Sequence, residues 1–122
     1  MKKSGIMTVL ALMMVFALNI IVSAADLSKE NKELIQKLSS EKYEARLEAA
    51  QKLGNNKCCE AIDPLIKVLK NDKKYNARIV AAYSLYKIGD KKVLPVLKEH
   101  LKAEKNQTVK TVIEGIIKKM ES

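Results

Sequence analysis

A repeat of 32 residues constrains the fold of this chain more than any other feature of its sequence. The first unit is Ala45-Arg46-Leu47-Glu48-Ala49-Ala50, which recurs as Ala77-Arg78-Ile79-Val80-Ala81-Ala82 and more weakly as Val109-Lys110-Thr111-Val112-Ile113. A second unit alternates with it, at residues 34–38, 64–69 and 95–98. Both units place apolar residues three and four positions apart, which is helical spacing. Two alternating helix types at one period predict an all-α fold, a short α-solenoid of stacked antiparallel helical hairpins.

The same pattern predicts where the helices begin and end. We expect six helices, near residues 28–39, 41–54, 60–70, 75–88, 91–103 and 106–120, which make about 2.5–3 hairpin repeats. Pro64 and Pro95 lie near helix starts, where the missing N–H is tolerated, and Gly89 is expected to end the fourth helix. Candidate N-caps are Ser40, Asn76 and Asn106.

The N-terminal residues have the organisation of a secretory signal peptide. Lys2 and Lys3 precede an uncharged, mainly apolar run, and small residues stand at 23–25 before the first acid, Asp26. We therefore predict a signal peptide at residues 1–24, cleaved after Ala24 or Ala25, and an exported domain at residues 26–122. An uncleaved membrane anchor is the alternative, because the run approaches the ~20 residues of a membrane-spanning helix.

Composition excludes several classes of protein. Four Gly and two Pro are too few turn-formers for a β-sandwich, and one His leaves little for metal binding or catalysis. The leader holds two lysines and no acid, so 21 basic and 14 acidic residues remain, a net charge of +7. The lysines lie mostly at helix ends and turns, which indicates a solvated surface or attraction to anionic lipids and envelope polymers.

The repeat units resemble a known family. The pattern Ala45-Arg46-x3-Ala49-Ala50-x2-Leu53-Gly54, followed by Ala61-Ile62-x-Pro64-Leu65-Ile66-x2-Leu69, is similar to the HEAT-like repeat of the phycobilisome-lyase type. The second copy matches at Ala77-Arg78, Ala81-Ala82, Leu85, Gly89-Asp90 and Pro95, and the third copy is degenerate. The sequence departs from the family where Tyr86 replaces a glycine and where Cys58-Cys59 replaces a turn aspartate. The resemblance implies a fold and not an activity.

The family geometry also implies a candidate binding surface. In such stacks the second helix of each pair lines a groove, which here would present Lys67, Lys70, Lys98 and Lys102. Arg46 and Arg78 occupy equivalent positions one repeat apart. They either form an anion-binding row or fasten the turns between repeats by hydrogen bonds to carbonyls or a carboxylate.

Cys58 and Cys59 are the remaining candidates for chemistry. Adjacent thiols in an exported chain could form a strained disulfide, contact a soft metal or cross-link two molecules, and a partly buried thiol beside a free one is the simpler interpretation. Two thiols are too few for a closed zinc site, and catalytic redox pairs are more often spaced Cys-x-x-Cys. A possible redox role thus rests on these two residues alone.

These observations predict a non-catalytic, exported scaffold in the periplasm or cell envelope that binds a protein partner and needs no cofactor. A homodimer stacked end to end is a further possibility, because short solenoids need covered ends. The alternative is a basic protein on an anionic membrane surface or polymer. We expect no nucleic-acid partner, because the leader directs the chain away from it.

Overall fold

The computed structural model describes residues 24–122 together with Met14. The chain divides into two compact units, Met1–Glu30 and Asn31–Ser122. In the smaller unit, residues 24–30 are helical and exposed. The predicted signal peptide at residues 1–24 lies outside the described residues except for Met14 and Ala24, so it stays a prediction.

The larger unit is built from helices, and its described residues include no strand. The predicted set of six helices is confirmed, and a 3-10 turn, Cys59–Ala61, precedes the third. Helix α1 covers residues 31–37 of this unit. The others are α2 (Tyr43–Asn55), α3 (Ile62–Asn71), α4 (Tyr75–Ile88), α5 (Val93–Ala103) and α6 (Gln107–Glu121).

The helices pack in two layers. In one layer α4 packs between α2 and α6, and in the other α3 neighbours α5. Helix α4 also packs on α3, and α5 packs on α6. A single apolar core lies between the layers, built mainly from leucine, isoleucine, valine and alanine. Its largest fully buried side chains are Leu53, Ile62, Leu65, Leu69, Leu85, Leu97, Ile113, Val93 and Val109. This arrangement is consistent with the short solenoid that the repeat predicts.

Small residues allow the helices of the first layer to approach each other closely. The alanine pairs at 49–50 and 81–82 are fully or almost fully buried. A Cβ added at Gly54 would lie 2.7 Å from the Cα of Ser84 on α4. The Ser84 hydroxyl donates to the Ala50 carbonyl at 2.6 Å, which adds a buried polar contact between the two helices. The small side chains of the alanine pairs therefore serve packing between the helices.

Helix ends are only partly as the sequence predicts. Asn106 caps α6, because its Oδ1 accepts from the Val109 N–H at 3.1 Å. Gly89 ends α4 in the left-handed conformation, with φ of 77°. The other two predicted N-caps are wrong: α2 begins after Lys42 and α4 after Lys74, and Asn76 lies inside α4. The Ser40 hydroxyl and the Asp72 carboxylate accept the N–H groups of Lys42 and Lys74, the residues that immediately precede these two helices.

The buried positions of the helices, here called the buried stripe, repeat every 32 residues, both from α2 to α4 and from α3 to α5. Leu65 and Leu97 occupy equivalent buried positions, and so do Asp72 and Glu104 at the following helix ends. Pro64 and Pro95 are 31 residues apart, whereas the buried positions are 32 apart, so the two prolines do not mark the packing period of these helices. Pro95 lies one residue earlier relative to the buried stripe, and it is exposed.

Candidate functional site

The two repeat arginines hold buried carboxylates. Arg46 donates from Nε to Asp72 Oδ2 at 2.7 Å and from Nη2 to Oδ1 at 3.1 Å. Its third nitrogen, Nη1, donates to the carbonyls of Ser40 and Glu41 at 3.0 and 3.1 Å. The Asp72 side chain is only 4% exposed. One guanidinium thus joins the α1–α2 turn to the end of α3, and its planar fork matches the carboxylate.

The second arginine repeats this arrangement one period later. Arg78 donates from Nε and Nη2 to the two oxygens of Glu104, both at 2.9 Å, and from Nη1 to the Asp72 carbonyl at 2.7 Å. Glu104 is 3% exposed and also contacts His100 Nε2 at 2.9 Å. Its Oε1 accepts from the N–H groups of Lys105 and Asn106.

Both carboxyls are stabilised in their charged form. Burial raises the pKa of Glu104, but the hydrogen bonds from Arg78, from the Asn106 N–H and from His100 outweigh it and lower the pKa to about 2. Burial likewise raises the pKa of Asp72, and the hydrogen bonds from Arg46 and the Lys74 N–H bring it below the ordinary value. The carboxylates are therefore ionised at neutral pH.

These contacts decide between the two interpretations of the arginine row. Both guanidinium groups are occupied by carboxylates and carbonyls of the chain, so the turn-fastening interpretation is confirmed. The third position of the row, Lys110, forms no ion pair with the described residues. Asp72 and Glu104 were not predicted as the carboxylate partners. Their own 32-residue spacing was the signal that could have found them.

The four candidate binding lysines lie exposed on the second layer. Lys67 and Lys70 belong to α3, and Lys98 and Lys102 belong to α5. Lys98 pairs with Glu121 of α6, and Lys102 lies 3.5 Å from Glu99. Among the described residues Lys67 and Lys70 have no acidic partner. We call these four residues the lysine face.

A groove of about 530 Å³ lies beside α3 in the larger unit. Lys67, Lys73 and Lys74 line it, and its wall includes the Arg46–Asp72 pair. Because that pair is internally neutral, the three lysines outweigh the single further acid of the lining, Glu41, and the groove is net positive. Lys73 and Lys74, at the α3–α4 turn, extend the basic surface beyond the four predicted lysines.

The two cysteines differ in their surroundings. Cys58 is buried in the core cluster and Cys59 is exposed, and both are free thiols. In the described part of the chain, no group of three or more Cys, His, Asp or Glu side chains is arranged to hold a metal ion. The same residues include no helix that is both long and apolar enough to cross a membrane.

Comparisons with known proteins agree with the repeat pattern. A family model for HEAT repeats matches residues 31–117. A similar solved structure is the crystal structure of epoxyqueuosine reductase with a tRNA-Tyr epoxyqueuosine-modified tRNA stem loop, with a TM-score of 0.59 and 27% identity. The likeness covers 64% of this chain and 21% of the reductase chain, so the match spans about a fifth of the reductase. No curated protein matches the chain.

Proposed function

Because this chain belongs to the HEAT-repeat proteins, we propose that it is a non-catalytic, exported scaffold that binds a protein partner through the lysine face. The observation that carries the proposal is the division of basic residues in the larger unit. Both repeat arginines are used in internal ion pairs, whereas Lys67 and Lys70 stand exposed without an acidic partner among the described residues. A partner that offers carboxylates would supply that missing charge.

The absence of an enzymatic role is part of this proposal. The resemblance to phycobilisome-lyase-type repeats concerns the Ala-Arg and Pro-Leu-Ile patterns, which shape the helices and contribute no reacting group. The likeness to epoxyqueuosine reductase covers only about a fifth of that chain. We therefore assign neither activity to this chain. Purified chain that lacks turnover of bilin or epoxyqueuosine-tRNA substrates would agree with this proposal, and turnover would overturn it.

Export rests on the charged start and the apolar run before Asp26. Sequencing the N-terminus of the protein recovered from its host tests this point. The proposal predicts a chain that begins at Ala25 or Asp26 in the periplasm, the envelope or the medium. An intact N-terminus in the membrane fraction would identify an uncleaved anchor, and an intact N-terminus in the cytosol would contradict export.

The partner is tested by affinity capture from the host envelope fraction at low and high salt. The bait is the chain itself, beside the double variant Lys67→Gln/Lys70→Gln. A matched control is Lys91→Gln/Lys118→Gln, which removes the same charge from two exposed lysines elsewhere. The proposal predicts one discrete protein that the chain and the control retain and that the lysine-face variant loses. Equal retention by all three baits would contradict the role of the lysine face.

Binding to an anionic surface or polymer is the second candidate, and the basic groove beside α3 favours it. Its attraction would decline steeply as salt rises, because exposed charges are screened over about 8 Å at physiological ionic strength. Co-sedimentation with phosphatidylglycerol vesicles distinguishes this candidate. A stem-loop RNA serves as a third probe, because the reductase structure contains one. The scaffold proposal predicts no retention of RNA.

A further inference from the structure

Two shallow grooves flank Tyr83 on the outer side of the first layer. The groove between α2 and α4 has a volume of about 260 Å³, and the groove between α4 and α6 has about 200 Å³. Tyr83 lines both, and the residue is 47% exposed. Each groove is smaller than the ~300 Å³ at which small-molecule sites usually begin. Their size suits single side chains of a protein partner.

The grooves are copies of each other, one repeat apart. Five of the six residues that line the first groove have equivalents 32 positions later that line the second. These pairs are Gln51 and Tyr83, Val80 and Val112, Tyr83 and Gly115, Ser84 and Ile116, and Lys87 and Lys119. A repeat protein that presents one groove twice can bind one segment at two successive points.

Gly115 is unexplained by the fold. It lies in the middle of α6 and is exposed, and a Cβ added there would meet nothing within 4 Å. A glycine inside a helix is less stable than alanine at the same position. Gly54, in contrast, is required by the close approach of Ser84. Gly115 leaves bare backbone at the second groove, where a partner can approach closely.

The charge around the grooves is positive. Lys87 and Lys119 stand at equivalent positions in the two grooves, and no acidic residue lines either one. The Lys87 ammonium donates to the neutral amide of Asn55 at 2.7 Å, which leaves its charge uncompensated. Lys119 has no ion pair with the described residues. A second copy of this basic chain would bring lysines against lysines, so charge favours an acidic partner.

We propose that the surface formed by these two grooves, with Tyr83 at its centre, binds an acidic segment of a partner protein that inserts two large apolar side chains. Helices that pack side by side are about 8–10 Å apart, so the grooves repeat at that distance. In a polyproline II segment, residues i and i+3 lie on one face about 9 Å apart. The segment is therefore expected to carry large apolar residues at i and i+3, flanked by Asp or Glu that meet Lys87 and Lys119.

This surface is separate from the lysine face, so it does not rest on the proposed function. None of its residues belongs to α3 or α5. Variants of one surface leave the other unchanged, and the failure of either proposal is therefore visible on its own.

The test selects peptides from a displayed library of random 16-residue sequences on the full-length chain. Binding of the selected peptides is then measured with Tyr83→Ala, Gly115→Leu and Lys119→Glu. We expect each variant to weaken binding at least about ten-fold. The first removes the central tyrosine, the second fills the second groove with a side chain, and the third reverses the charge that meets the acidic residues of the peptide. Matched controls are Tyr75→Ala, a tyrosine of α4 that is 45% exposed outside the grooves, and Lys118→Glu, the exposed neighbour of Lys119.

Gly115→Ala separates binding from folding. Because its Cβ has open space, we expect the melting temperature to rise by about 4–8 °C while peptide binding weakens. Selected sequences with acids and two large apolar residues, lost with the groove variants and kept with the controls, would support the proposal. Selection of no sequence, of basic sequences, or of peptides that bind Tyr83→Ala and Gly115→Leu unchanged would overturn it. A dimer in light scattering that Tyr83→Ala dissociates would also overturn it, because the occupant would then be a second copy.

Discussion

Positive charge is found both at the turns between the repeats and on the lysine face, but it is paired with acids at the turns and exposed to solvent on α3. At the turns, Arg46 and Arg78 each hold a carboxylate that is nearly inaccessible to solvent. On α3, Lys67 and Lys70 are exposed, and neither pairs with an acid in the described part of the chain. The basic residues of these two regions therefore fall into two groups: the two arginines are neutralised inside the fold, and Lys67 and Lys70 keep their charge exposed at the surface.

The difference follows from the chemistry of the two side chains. A guanidinium presents a rigid fork of donors that fits a carboxylate and two backbone carbonyls at once, and it remains charged when it is enclosed. An ammonium on a flexible stem is strongly hydrated and loses more on burial. Removing an arginine should therefore damage the fold, whereas removing a lysine of the lysine face should damage only binding.

The largest effect is expected from Arg78→Ala. The variant leaves Glu104 buried without its bidentate partner, and breaking a buried pair in this way costs about 3–5 kcal/mol. Urea denaturation of the variant and the unmodified chain measures the change in the free energy of unfolding. A loss below about 1 kcal/mol would show that the pair does not stabilise the repeat.

Acid should weaken the same turn. The pKa of Glu104 is about 2 in the folded chain, against an ordinary 4.5, so the unfolded chain takes up a proton at a higher pH than the folded chain does. The stabilisation is complete above pH 4.5 and is lost as pH falls toward 2, by about 3 kcal/mol in total. Denaturation at several pH values measures it, with Glu114→Gln as an exposed control and Glu104→Gln as the variant. An equally steep loss in Glu104→Gln would assign the pH dependence to other groups.

Gly54→Ala probes the packing beneath the turns. Its Cβ would lie 2.7 Å from the Ser84 backbone, so α2 and α4 must separate. We expect a loss of about 1–3 kcal/mol in the free energy of unfolding. Thermal denaturation checks this, and an unchanged melting temperature would mean that the two helices are not so closely packed.

The smallest effect on stability is expected on the lysine face. Lys67→Gln/Lys70→Gln removes two exposed charges that have no acidic partner among the described residues, so the free energy of unfolding should change by less than about 0.5 kcal/mol. The same urea denaturation measures it. A loss comparable to that of Arg78→Ala would show that these lysines are structural.

The sequence predicts the helices well because the residues that recur with the repeat are the ones that pack in the core. The alanine pairs and the leucine spacing recur with the repeat and are buried between the helices, and Gly89 ends α4. These features are visible in the sequence, so the helices could be predicted from it. Ser40 and Asn76 are not the N-caps, because α2 and α4 follow Lys42 and Lys74. The Ser40 hydroxyl and the Asp72 carboxylate accept the N–H groups of these two lysines from within the turns. The preference of single residue types for N-cap positions does not by itself reveal where these helices begin.

The candidate surfaces were less accessible to sequence reasoning. Asp72 and Glu104 lie 26 residues after their arginines, so only the folded repeat brings each pair together. The outer grooves could not be predicted from the sequence, because the residues at their shared repeat position differ in chemical type: Gln51, Tyr83 and Gly115. Lys67 and Lys70 were found from the family geometry. Their binding role stays a prediction.

The central claim is that arginine charge maintains the fold and lysine charge serves a partner. The most direct test compares Arg46→Gln/Arg78→Gln with Lys67→Gln/Lys70→Gln, two variants that lose the same net charge, and measures melting temperature and capture of the envelope partner for each. We predict a large fall in melting temperature for the arginine variant, and for the lysine variant an unchanged melting temperature with loss of capture. An arginine variant as stable as the unmodified chain, or a lysine variant that captures the partner undiminished, would contradict the claim.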